Sequence, residues 1–92
     1  MSGTANVCDA VAGFNDWSRP WEFPTHVAAS LAAEDGELFQ AIWAEATDAK
    51  HWTLANLAAC AEGVQFALAA RFPELDAATV TAIANAAAYQ WR

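Results

Sequence analysis

Ninety-two residues allow a single domain, and a chain this short buries only about 60–65% of its unfolded surface. The formal net charge is −7, with Arg19, Lys50, Arg71 and Arg92 as the basic side chains; this excludes phosphate-backbone binding and disfavours an anionic membrane surface. The apolar fraction of 57% is nearly half alanine, so five Trp, five Phe and one Tyr carry most of the burial, each Trp covering roughly 150–250 Å².

The pattern reads as all-α: a small alanine-rich bundle of four to five helices filling residues 1–92 as one domain. Val7, Val11 and Phe14 recur at spacings of four and three and predict a helix over 4–12, with Gly13 past its end. Residues 13–24 hold Pro20 and Pro24 among aromatics and read as a loop. Thr25 is the expected N-cap of a helix over 26–34 with Val27 and Leu31 inward, ended by Glu34-Asp35-Gly36. A helix over 37–47 puts Leu38, Phe39, Ile42 and Trp43 on one face. The longest predicted helix, 50–71, is opened by His51-Trp52. It carries Leu54, Leu57, Ala61, Val64 and Leu68 as its packing stripe. Its second face, Trp52, Ala55, Ala59, Gly63, Phe66 and Ala70, is small enough to admit another helix closely. Pro73 stops it. Asp76 then caps a last helix over 77–91 with Val80, Ile83, Ala87 and Trp91 on one side.

No catalytic or metal-binding constellation is evident in the sequence. Cys8, His26, His51 and Cys60 lack the close spacing of a zinc site. Asp48 and His51 lie three apart and are expected to meet across one helical turn, but Cys60 is too far along to be their nucleophile. The four glycines are isolated, so no phosphate-cradling loop is expected. Glu34, Asp35 and Glu37 suit helix-end chemistry better than a metal cage. Two distant cysteines do not make a disulfide framework. No basic leader opens the sequence and no apolar run is long enough to span a bilayer, so a cytoplasmic location is expected. Five tryptophans suit either a packed core or an interface, where Trp is enriched. The acidic surface suits either a basic partner or simple solvation.

The order of the motifs adds more. Arg19-Pro20-Trp21-Glu22-Phe23 is followed by Val27-Ala28-Ala29-Ser30-Leu31-Ala32, then Gly36-Glu37-Leu38-Phe39 and Ile42-Trp43. After these come His51-Trp52 and Leu54-Ala55-Asn56-Leu57-Ala58, with Phe72, Leu75 and Thr79 beyond. From residue 19 to about 85, this order resembles the helical N-terminal region of nitrile hydratase and thiocyanate hydrolase β-type subunits and of the related activator proteins. The β subunits of that family continue into a small β-barrel that this sequence lacks. It therefore looks like the small split subunit of a three-chain enzyme, such as toyocamycin nitrile hydratase.

The resemblance implies a helical subunit of a heteromeric lyase that hydrates nitriles to amides. The chain would contribute no catalytic residue and no metal ligand. It would support an α-type metal-binding subunit, on which the cobalt or iron resides as a Lewis acid, and would assemble with a separate barrel-type β half. Trp21, Glu22, Trp43, His51 and Trp52 are the candidates for the partner surface or substrate channel. A family arginine that touches the metal-ligand cysteines falls, by ungapped count, on Ala44, so that role is not carried over. Two alternatives remain: a metallochaperone-like nitrile hydratase activator from the same family, or an unrelated acidic protein-binding inhibitor.

Overall fold

In the computed structural model, residues 3–53 and 56–91 are described, and among them the architecture is all-helical. Five α-helices are α1 (Gly3–Ala12), α2 (Phe23–Ala29), α3 (Ala33–Ala46), α4 (Leu57–Arg71) and α5 (Ala77–Gln90). Two 3-10 turns, Pro20–Glu22 and Ala49–His51, precede α2 and α4. No helix among the described residues is long and apolar enough to cross a membrane. The α4–α5 hairpin is the most extensive helix pair, and α5 also packs on α1 and α3. Buried alanines Ala84, Ala86 and Ala87 on α5 present little bulk to these neighbours. The radius of gyration of 12.2 Å matches the roughly 12 Å expected of a compact chain this long.

The apolar stripes fold as their spacing dictates. Val7, Val11 and Phe14 are buried, as are Phe39 and Ile42 on α3 and Val80, Ile83 and Ala87 on α5. Ala61, Val64 and Leu68 of the α4 stripe are buried too, whereas Leu57 is half-buried. Leu54 of that stripe lies outside the described residues. Asp76 caps α5 as expected: its Oδ1 accepts from the Thr79 amide at 2.7 Å. The bonds from Thr79 hold the Asp76 carboxyl below its ordinary range.

Four expectations are corrected. Thr25 does not cap α2; it lies inside a helix that already begins at Phe23. Pro24 occupies the first turn, where its missing N–H costs nothing and its fixed φ is already helical. Glu34, Asp35 and Gly36 do not end a helix. The extended Ala32 starts α3, and the two carboxylates sit in its first turn, where the helix dipole favours them. The 50–71 helix is not continuous. Asp48 caps the Ala49–His51 turn by accepting from the Lys50 amide at 2.9 Å. α4 restarts only at Leu57, where Asn56 Oδ1 accepts from Ala58 and Ala59 at 2.9 and 3.3 Å. Two strong capping side chains thus outcompete the helix propensity between them. Finally, the small face of α4 receives no helix: Gly63, Phe66 and Ala70 are exposed, and Trp52 precedes α4 altogether. Ala55 of that face lies outside the described residues.

A Cβ built on Gly36 or Gly63 would meet nothing within 4 Å, and both glycines are helical. Gly36→Ala and Gly63→Ala should each raise stability by about 1 kcal/mol, since glycine pays the larger backbone entropy in a helix. Thermal unfolding would then shift upward by roughly 4–8 °C per substitution. A downward shift would contradict the open space around these positions.

Candidate functional site

The Pro20–Glu22 turn forces one large ring outward. Pro20 is buried and fixes the first φ of the turn. Glu22 N donates to Arg19 O at 3.0 Å, and Arg19 Nε pairs with Glu22 Oε2 at 3.0 Å across the same turn. Trp21, between them, is 57% exposed and rests against Tyr89 of α5, with ring centroids 6.1 Å apart. Beside it opens a pocket of about 490 Å³ walled by Phe14, Asp16, Trp21, Glu22, Thr25 and His26, among others. Trp17 and Trp91 are also exposed, at 42% and 40%. So large an aromatic area is costly to leave in water on a small domain.

The other tryptophans have more structural neighbours. Trp43 is half-buried, 5.6 Å from Phe23 and 6.1 Å from Phe39 by ring centroid. Trp52 is half-buried, and its indole N–H donates to Ala46 O at 2.8 Å. The Trp91 indole donates to Thr47 O at 3.0 Å, and Thr47 Oγ1 donates to Trp43 O at 2.8 Å. Around the end of α3, the Ala46 and Thr47 carbonyls are thus each taken by an indole, and the Thr47 hydroxyl shares the Trp43 carbonyl with the Thr47 amide. Trp91, expected on the inner side of the last helix, instead closes this end from the surface. Trp21 rests against Tyr89, whereas Trp43 packs on Phe23 and Phe39 and Trp52 bonds the end of α3.

His51 pairs with Glu45 rather than Asp48. Its Nε2 lies 2.5 Å from Glu45 Oε2; Lys50 Nζ reaches the same oxygen at 3.1 Å, and Arg71 Nη1 donates to Oε1 at 2.6 Å. Asp48 instead caps the turn, accepting from the Lys50 amide. The hydrogen bond from His51, then that from Arg71, pull the Glu45 carboxyl down to about 2; burial opposes them, and Lys50 adds to them. Glu45 was not singled out in the sequence, although a signal existed. Leu38, Ile42 and Glu45 fall at i, i+4 and i+7, so a carboxylate interrupts an apolar stripe. Through these three contacts Glu45 ties α3 to the Ala49–His51 turn and to α4, and its lowered basicity suits it poorly to proton abstraction. Ala44 is exposed on α3.

Cys8 and Cys60 are not joined in a disulfide; Cys8 is half-buried and Cys60 is buried. Among the described residues, no three His, Cys, Asp or Glu side chains come together as a group able to hold a metal ion. Comparison with family models, with curated proteins and with solved structures finds no match for this chain.

Proposed function

We propose that this chain is a partner-binding helical subunit, and that its partners are those of a heteromeric nitrile hydratase: an α-type metal-binding subunit and the barrel-type half of the β part. The observation that carries the partner-binding reading is Trp21. A rigid, proline-headed turn holds its ring 57% exposed beside Tyr89 and a walled pocket. Exposed aromatics set on rigid elements are the usual anchors of protein interfaces. The finer assignment, nitrile to amide hydration in the cytoplasm with cobalt or iron on the α-type chain, is supported by the order of motifs from Pro20-Trp21-Glu22 to His51-Trp52. In this reading the chain shapes and holds the complex, and the metal on the α-type subunit polarises the nitrile or activates water.

Co-expression with an α-type chain and a barrel-type half from neighbouring reading frames tests the proposal. The three should elute together in size-exclusion chromatography. Trp21→Ala should weaken that assembly by about tenfold or more, as expected for an interface anchor, while shifting the thermal unfolding of the isolated chain by only a few degrees. If the variant assembles like the parent chain, Trp21 is not an anchor. If the parent chain elutes apart from its candidate partners, the subunit reading gives way to the activator or the acidic inhibitor.

A further inference from the structure

We propose that the pocket beside the Pro20–Glu22 turn takes an arginine side chain presented on a loop of a protein partner. The inference rests on the partner-binding reading and names the chemistry of the contact. Four observations converge on it. The pocket, at about 490 Å³, has room for a side chain presented by a partner. One wall is the exposed Trp21 ring, the best aromatic surface for a cation. Two other wall residues, Asp16 and Glu22, are carboxylates. The chain as a whole carries −7 and so favours a basic partner.

The chain's own Arg19 shows that a guanidinium reaches Glu22, with Nε 3.0 Å from Oε2. A carboxylate offers about four acceptor sites, so this pair does not exhaust Glu22. Asp16 accepts from the Ser18 hydroxyl at 2.6 Å and is likewise left with capacity. Arginine suits the site better than lysine. Its flat guanidinium stacks on an indole while its edge donates to carboxylates, whereas an ammonium is a more strongly hydrated point charge. Phe14, which also lines the pocket, gives the arginine methylenes an apolar surface.

The test is an NMR titration of the isotope-labelled full chain with the capped tripeptide Gly-Arg-Gly and with its citrulline counterpart, which keeps the shape and loses the charge. The arginine peptide should shift the Trp21 indole N–H and the amides of Asp16, Glu22 and His26, leaving those around Glu45 unmoved. It should bind about tenfold or more tightly than the citrulline peptide. Trp21→Ala and Glu22→Gln should each weaken it several-fold, whereas Trp21→Phe should retain part of the affinity; a helical circular dichroism spectrum verifies that each variant is folded. Equal binding of the two peptides, no shift with either, or unchanged binding by folded Trp21→Ala would overturn the proposal. Failure here with retained nitrile hydratase assembly removes the arginine contact alone. Peptide binding without that assembly keeps the contact and removes the subunit assignment.

Discussion

Phe23→Ala should destabilise the chain by about 3–5 kcal/mol, the cost of emptying a fully buried aromatic site. Phe23 is the hub of the aromatic core. Its ring meets Phe14 edge-on at 5.3 Å, stacks with Trp17 at 5.7 Å, and touches Trp43 and Phe39 at 5.6 and 6.2 Å. Those rings come from the loop after α1, from α2 and from α3, so one truncation loosens three segments. A domain of this size has only about 5–14 kcal/mol of total stability. The loss should therefore lower the unfolding midpoint by roughly 15 °C or more. Phe66→Ala provides the control: Phe66 is 79% exposed, and its removal should stay within about 0.5 kcal/mol. Equal effects of the two substitutions would show that the aromatic cluster is not the core.

The second large effect depends on pH. The Glu45 carboxyl is drawn from an ordinary value of 4.5 to about 2 by the hydrogen bond from His51, then that from Arg71. The folded state thus holds the proton less tightly than the unfolded chain. Stability from this group is complete above about 4.5 and is lost as the pH falls from there towards about 2. The full shift would correspond to about 3 kcal/mol. Because the Lys50 and Arg71 side chains are 59% and 60% exposed, solvent screens their pull, and about 1–2 kcal/mol is the expected contribution. Urea unfolding should show Glu45→Gln less stable than the parent by that amount at pH 7, with the gap narrowing at pH 3. Asp76, whose carboxyl is also held low, is present in both proteins and cancels from the difference. A gap of the same size at both pH values would contradict the ion-pair account of Glu45.

Helix content and the buried stripes were legible because they depend on local spacing. Val7, Val11, Phe39, Ile42, Val64, Leu68 and Ile83 were all placed inside by 3.6-residue periodicity, and all are buried. The Asp76 cap and the Pro73 stop were legible for the same local reason. What failed was competition between neighbouring signals. Pro24 and Gly36 read as breakers, yet each sits in or near a first helical turn, where proline is favoured and glycine costs about 1 kcal/mol at most. Asp48 and Asn56 are both good caps, and two caps eight residues apart divide what apolar spacing alone joins into one helix. Glu45 escapes a local reading because its partners lie five and six residues on, at Lys50 and His51, and 26 residues away, at Arg71. No local pattern announces a contact with Arg71. Trp21 was singled out from its proline-headed motif, but its outward placement needed α5, whose Tyr89 supports one side of the ring.

The most direct test of the subunit account is nitrile turnover by the reconstituted enzyme with and without this chain. An α-type chain loaded with cobalt or iron and a barrel-type half would be assayed for amide production from a panel of nitriles. The account predicts that amide forms at a substantial rate only when this chain is added, with activity saturating at a fixed stoichiometry. Trp21→Ala should require a higher concentration to reach the same plateau. Full activity of the partners without the chain, at every concentration and after metal loading, would contradict it.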